Sequence, residues 1–259
     1  MYNFLYKKLY QYRYHPVVKF FTRLYRSGIS FANPSILKDF FLFKKLSKER
    51  NLPEPSFADY YPCAHDKTGV TIFDRHYVYH LAWAARKLKE INPVKHIDIS
   101  SSVHFSTMVS AFIPVTFYDY RPLDVKLSNF DSLRADLNKL PFETATVKSV
   151  SCLHVIEHIG LGRYGDTLDA EGDKKAINEL QRVTVQNGNI LFVVPVGKPK
   201  VEFNAHRIYS YEQVVGLFKD CALKEFALIP DNGYMQTNAS PALVKEQSFG
   251  CGCFWFVKK

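Results

Sequence analysis

Few cysteines and no long apolar run are present in this sequence of 259 residues. The five cysteines are odd in number and scattered, which suits a reducing cytoplasm better than a disulfide framework. No apolar run reaches the roughly 18 residues of a membrane span, and the N-terminus lacks the apolar centre of a signal peptide. We therefore expect a cytoplasmic protein, and its 47% hydrophobic content is enough for a large buried core.

Acidic residues are absent from the first 38 positions, which hold seven lysines and arginines. Beyond them, 27 basic residues face 25 acidic ones, so the net charge of +9 is a property of the N-terminal arm. A nearly neutral body has no broad basic groove. The sequence therefore predicts no nucleic-acid partner.

The arm contains an amphipathic pattern over residues 17–26. Apolar residues recur there at helical spacing, and Lys19, Arg23 and Arg26 fall on the opposite face. Such a helix either contacts an anionic surface, here the inner face of the membrane, or packs on the protein body or on a second subunit of a homo-oligomer. Asn33 and Pro34 then predict the start of another helix, which continues to Arg50. We assign residues 1–62 to a basic, aromatic, helical extension and residues 63–259 to the main domain.

Short apolar runs alternate with helical patterns along most of the main domain. Asp74 is a predicted cap for a helix that reaches Glu90, and Asn92-Pro93 ends it. The runs that follow are 94–99, 103–112, 115–120, 147–153, 173–185, 190–194 and 210–218, and then the β-forming segments 223–229 and 249–257. Alternation of this kind is typical of βαβ units. We predict the α/β class, with a Rossmann-like, doubly wound, mostly parallel seven-stranded sheet.

Three acids lie at or after the ends of the first three predicted strands: Asp98, Asp119 and Asp136. Ligands of a doubly wound sheet bind just beyond the carboxyl ends of its strands, and an acid after the second strand can hydrogen-bond ribose hydroxyls. Asp119 has that position. Asp136 could accept a hydrogen bond from an adenine amino group, and Asp98 could orient the first loop.

The motifs that contain these acids carry a family resemblance. Ile97-Asp98-Ile99-Ser100, Tyr118-Asp119, Asp136-Leu137 and His154-Val-Ile-Glu157-His158 follow one another in the order found in class I S-adenosylmethionine-dependent methyltransferases, which the chain resembles over roughly residues 91–230. Segments 119–123, 160–166 and 202–207 look like the bacterial methyltransferase-like family catalogued as domain of unknown function 268. The resemblance implies S-adenosyl-L-methionine as cofactor. The cofactor-binding positions it implies are Asp98, Ser100, Ser101, Asp119, Tyr120, Asp136, Leu137 and His154.

The first loop departs from the superfamily pattern. It is normally rich in glycine, but Ser100, Ser101 and Ser102 occupy it here. Serine disfavours positive φ, so either the loop is reshaped and its hydroxyls supply hydrogen bonds, or the cofactor site is weakened or lost.

The segment 154–158 also fits the H-x-x-E-H pattern of a class of zinc proteases. That pattern requires both histidines on a helix, whereas His154 here ends a predicted strand. We therefore predict no zinc protease and assign no metal ligands, although a non-zinc metal bound with the substrate stays an alternative. Cys251 and Cys253 share one face of a strand and are interpreted as buried thiols.

A hydroxyl acceptor must lose a proton near neutral pH, and histidine is the side chain best suited to accept it. The catalytic candidates are His158 first and His206 second, with Glu157 as an orienting carboxylate. The alternative is that His154 and Glu157 only fix the loop and cap a helix. The candidate substrate-binding residues are Arg163, Asp166, Asn204 and Arg207, of which the two arginines could hold an anionic acceptor.

These observations predict a methyltransferase that uses S-adenosyl-L-methionine. We expect it to O-methylate a sugar or another small acceptor in bacterial surface-polysaccharide biosynthesis, of capsule or lipopolysaccharide. The alternative is a non-catalytic Rossmann-like scaffold module of a glycan-assembly complex. The serine-rich first loop favours the scaffold, and Asp119 and Asp136 favour the enzyme.

Overall fold

A computed structural model describes residues 34–63 and 66–259. The amphipathic helix predicted over residues 17–26 lies outside this described part. The chain divides into two compact units, residues 1–72 and 73–259. In the first unit, helix α1 (Pro34–Glu49) begins at the proline as predicted, because the fixed φ of proline suits the first helical position and its missing N–H costs nothing there. The short 3₁₀ turn Phe57–Asp59 follows.

The second unit is a mixed α/β domain. Its helices are α2 (Arg75–Ile91), α3 (Val103–Val109), α4 (Gly172–Val183) and α5 (Tyr211–Leu217). Its strands are β1 (His96–Ser100), β2 (Val115–Asp119), β3 (Phe130–Arg134), β4 (Val147–Leu153), β5 (Thr184–Val196), β6 (Lys200–Glu202), β7 (His206–Ile208), β8 (Cys221–Ile229), β9 (Gln236–Thr237) and β10 (Gly250–Lys258).

The main sheet has the strand order β3-β2-β1-β4-β5-β10-β8-β9. Strands β1 to β5 are parallel to one another, and β10 is antiparallel to both β5 and β8. The predicted doubly wound, mostly parallel sheet is confirmed. Its eighth strand, β9, was not predicted, because two residues at an edge carry no apolar pattern. Strands β6 and β7 form a separate antiparallel pair.

Two apolar layers cover the sheet because alternate residues of a strand point to opposite faces. In β5, Ile190, Phe192 and Val194 pack in the core that contains α4 and α5. Leu191 and Val193 pack on the other face with residues of α2 and α3. Each of these side chains is almost completely buried, and complete burial contributes roughly 1.5–3 kcal/mol per large apolar residue.

Local hydrogen bonds set the ends of helix α2. The Asp74 carboxylate accepts a bond from the Tyr77 amide (3.1 Å), and Asn92 closes the helix in the left-handed conformation with φ 48°. Both caps were predicted. The helix start is thereby held next to the end of β4, where the ring of His76 stacks against His154 with centroids 5.7 Å apart.

Candidate functional site

A cavity of 320 Å³ opens at the carboxyl ends of β1, β2, β3 and β4. Parallel strands bring the loops that follow them to one edge of the sheet, so segments distant in sequence meet there. The cavity is lined by seven of the eight predicted cofactor-binding residues: Ser100, Ser101, Asp119, Tyr120, Asp136, Leu137 and His154. Its volume lies within the range of roughly 300–1,000 Å³ that small-molecule sites occupy.

The first loop contains serine where glycine is usual, and its backbone has no positive φ. None of Ser100, Ser101 and Ser102 is among the residues with positive φ in the described part of the chain. The Ser101 amide donates to the Leu153 carbonyl (3.1 Å), and its hydroxyl lies 2.9 Å from that of Tyr77. The loop therefore needs no glycine for its backbone, and the Ser101 hydroxyl takes part in a hydrogen bond.

Asp98 is the predicted cofactor residue that does not reach the cavity. It is completely buried in β1, and its carboxylate accepts hydrogen bonds from the hydroxyls of Ser100, Ser106 and Ser151. Burial raises the pKa of Asp98 to about 6, although the three hydroxyls act in the opposite direction. Asp98 does not line the cavity, and its position suits the predicted loop-orienting role.

The two other acids keep their carboxylates at the cavity wall through the same local motif. Asp119 accepts a hydrogen bond from the amide of Arg121 (2.7 Å), and Asp136 accepts one from the amide of Asn138 (2.9 Å). These Asx turns use one oxygen of each carboxylate and fix its direction. A further acceptor oxygen remains on each side chain for a ligand.

The segment after β4 turns sharply and places two ionisable side chains in the interior. His154 has φ 54°, and its Nδ1 lies 2.7 Å from Glu157 Oε1. Burial raises the pKa of Glu157 to about 7 and lowers the pKa of His154 to about 4. Glu157 Oε2 is buried without a hydrogen-bond partner among the described residues. The pair forms a polar cluster at the carboxyl end of the sheet.

His158 has a defined tautomer. Its Nδ1 donates to the Ala205 carbonyl (2.6 Å), so the lone pair is on Nε2, which lies 3.9 Å from Glu157 Oε1. Burial lowers the pKa of His158, and the Glu157 charge partly opposes this. A neutral imidazole with a free Nε2 is a suitable proton acceptor, and the nearby carboxylate would stabilise its protonated form.

A second cavity of 460 Å³ adjoins the first, because His154 and His158 line both. Glu157, Arg163 and His206 also line it. The contact of His158 with Ala205 joins the loop after β4 to the β6–β7 turn, and Arg163 donates to the same carbonyl (2.9 Å). The loop after β4 and the β6–β7 turn therefore meet, and they enclose a space next to the first cavity.

Comparison with solved structures identifies the fold. The chain is 11% identical to a protein described as a sarcosine dimethylglycine methyltransferase from Galdieria sulphuraria, with a TM-score of 0.52 over 70% of this chain and 86% of that one. For the YcgJ protein from Bacillus subtilis the identity is 12% and the TM-score 0.50, over 70% and 99%. This chain has the class I methyltransferase fold.

Two further comparisons concern the amino-acid sequence. Residues 136–222 match the family model described as "Caenorhabditis protein of unknown function, DUF268", which confirms the resemblance noted from the sequence. That description names a nematode genus, so a bacterial origin stays a prediction. The sequence matches no curated protein. No helix in the described part of this methyltransferase-fold chain is long and apolar enough to cross a membrane.

The predicted substrate residues separate into two groups. Arg163 lines the second cavity and Asp166 the first, where the Asp166 carboxylate accepts a hydrogen bond from the Gly160 amide (2.8 Å). Asn204 is exposed and lines neither cavity. Arg207 is buried, donates to the Ile159 carbonyl (2.6 Å) and lies beside Asp173. The Arg207 guanidinium thus holds the loop after β4, and its predicted substrate-binding role stays a prediction.

Helix α2 provides site residues that sequence reasoning missed. Arg75, His76 and Tyr77 line the second cavity, and so does Phe249 from the segment before β10. The sequence predicted the cap and the end of this helix but assigned no site residue to it. The signal was present in its first turn, where the capped start combines a guanidinium, an imidazole and a phenol.

Proposed function

We propose that this chain is an S-adenosyl-L-methionine-dependent methyltransferase that acts on a hydroxyl of a sugar or another small acceptor in surface-polysaccharide assembly. The observation that carries the proposal is the pair of adjoining cavities with His154 and His158 at their boundary. The first cavity has the acids that a nucleoside needs, and the second has the candidate base. The glycan context is supported by the family resemblance and the basic N-terminal arm alone.

The first cavity fits the cofactor by the chemistry of its lining. Asp119 would hold the ribose hydroxyls, Asp136 the adenine amino group, and Ser101 the polar methionine part. The bound cofactor would supply a methyl group on a positively charged sulfur. Because methyl transfer is an in-line displacement, the protein's tasks are to align the two reactants and exclude water.

His158 would remove the acceptor proton. Its Nε2 is free because Nδ1 donates to Ala205, and the Glu157 carboxylate lies close enough to stabilise the imidazolium that forms. His206 is the second candidate, and its Nε2 lies 3.2 Å from Glu202 Oε2. Arg163 faces the same cavity and would orient an acceptor that carries an acidic group.

Calorimetry with S-adenosylhomocysteine tests the proposal. Native protein should bind, and Asp119→Ala should lose at least about 1.5 kcal/mol, the loss expected for charge-assisted hydrogen bonds. Asp119→Asn keeps an oxygen for the Arg121 amide, so it separates loss of charge from loss of the turn. Asp131→Ala, an exposed acid that does not line the cavity, is the matched control and should bind like the native protein.

Absence of binding by the native protein would refute the enzyme and favour the non-catalytic scaffold. Equal affinity of the native protein and both Asp119 variants would instead place the cofactor elsewhere.

A further inference from the structure

Three side chains with metal-binding atoms converge at the wall of the second cavity. One atom each from His76, His154 and Cys251 lies within 4.8 Å of the other two. They come from the first turn of α2, the end of β4 and the start of β10. Cys251 Sγ lies 3.3 Å from His154 Nε2, and the thiol is completely buried.

The ring nitrogen of His154 that faces away from this cluster is engaged. His154 Nδ1 donates to the Glu157 carboxylate, which leaves the Nε2 lone pair directed at Cys251. Histidines that bind metals almost always donate their second N–H to a carboxylate or a carbonyl in this way. The His76 ring stacks against the Phe249 ring, with centroids 5.2 Å apart.

The spacing suits a tetrahedral ion. Bonds of about 2.0–2.1 Å to nitrogen and 2.3 Å to sulfur place neighbouring ligand atoms about 3.3–3.6 Å apart. The separation of 3.3 Å between Cys251 Sγ and His154 Nε2 is a few tenths of an ångström shorter than the nitrogen–sulfur edge, which is the longer of the two at about 3.6 Å. The ligand atom of His76 lies within 4.8 Å of both.

Two buried polar atoms near this cluster have no hydrogen-bond partner in the described part of the protein. Glu157 Oε2 and His80 Nε2 are buried without hydrogen-bond partners among the described residues, and the His80 ring packs edge-on against His154 at 4.9 Å. The cluster thus offers a polar and partly enclosed environment to a ligand. Two imidazoles and one thiolate favour Zn²⁺ or Co²⁺ over Mg²⁺ or Ca²⁺, which prefer oxygen.

We propose that His76, His154 and Cys251 bind one divalent ion of borderline softness, Zn²⁺ or Co²⁺, with a fourth coordination position open to the second cavity. The open position follows from the arrangement: both histidines line that cavity, whereas Cys251 lies behind them. The site gives His154 a role as a metal ligand, and Glu157 is the positioning residue that orients it. The binding of the ion does not depend on methyl transfer.

Cobalt titration of the full-length protein tests this site. After removal of metals with a chelator, Co²⁺ should bind at one ion per chain and give visible bands of a tetrahedral centre together with a near-ultraviolet thiolate-to-cobalt band. Zn²⁺ should displace it. Cys251→Ser should abolish the thiolate band, and Cys253→Ser, a buried thiol two residues along the same strand and face, should keep it.

Two further variants keep the test decisive if Cys251→Ser does not fold. His76→Ala should weaken Co²⁺ binding by at least about 100-fold, and Glu157→Gln by about 10–100-fold, as is usual for residues that support a ligand. Native protein without a thiolate band would overturn the proposal, because Cys251 would then only donate a hydrogen bond to His154. Unchanged affinity of His76→Ala would overturn the three-residue set.

The calorimetric test with S-adenosylhomocysteine has a separate readout. Failure of nucleoside binding and failure of cobalt binding are therefore distinguishable.

Discussion

The buried carboxyl of Asp98 provides a sharp test of how the first loop is stabilised. Asp98 is fully enclosed in β1, and three serine hydroxyls donate to it. Burial favours the protonated acid and the hydroxyls favour the carboxylate. With burial as the larger effect, the folded-state pKa is about 6, against an ordinary value of 3.8.

The sign of the pH dependence follows from this pKa. The folded protein holds the Asp98 proton more tightly than the unfolded chain does, so Asp98 contributes stability that is fully present below pH 3.8 and is lost as pH rises through about 6. Between about pH 8 and pH 5, linkage gives a change on the order of 1 kcal/mol in the free energy of unfolding. Acidification over this range should stabilise the native protein relative to Asp98→Asn by that amount.

Urea unfolding of both proteins across this pH range measures the effect. Buried histidines act in the opposite direction, because their lowered pKa values give stability that is present above about pH 6.5 and lost on acidification. These residues are His76, His80, His96 and His154. They are common to both proteins, so the contributions of His76, His80 and His154 cancel in the difference between native and Asp98→Asn. His96 shares Ser151 with Asp98, so the difference reports the carboxyl together with this hydrogen-bonded neighbour.

A second variant tests the cause of the pKa. Ser106→Ala removes one hydroxyl that lowers the pKa of Asp98, so the pH dependence should move to higher pH. A stability difference that is flat between pH 5 and 8, or that grows as pH rises, would refute the reasoning. The three hydroxyls would then outweigh burial.

Two other predictions concern the loop after β4 and the base. Gly160→Ala should cost about 3 kcal/mol of unfolding free energy, because its φ is +80° and a Cβ would overlap the Asp169 carbonyl oxygen. Gly165→Ala should cost only about 1 kcal/mol, because its φ is similar at +85° but a Cβ there would meet open space. Equal losses in urea unfolding would exclude the close approach as the cause. Once an acceptor is found, His158→Ala should reduce turnover about 10²–10⁴-fold with nearly native affinity for S-adenosylhomocysteine, and His206→Ala should reduce it less. Native turnover in both variants would make the two histidines structural.

The sequence by itself determined the class and order of most elements, because their signals are local. The caps of α2 at Asp74 and Asn92 are formed by groups a few residues apart, and the structure confirms them. Apolar runs such as Val147–Leu153 specify strands buried on both faces. The acids Asp119 and Asp136 could be placed at the cavity because parallel strands end at one edge.

Only the tertiary structure decided what depends on distant partners. The β6–β7 pair is short, so it has no apolar run to reveal it. The guanidinium of Arg207 has the chemistry to bind an anionic substrate, but the fold buries it against Ile159 and Asp173.

The meeting of His76, His154 and Cys251 has the same origin. Cys251 and His154 are 97 residues apart in sequence, and both thiol and imidazole are common buried groups. Local spacing carries no information on which of them will face each other. The register of β10 on β5, and the capped start of α2 beside the end of β4, bring them together.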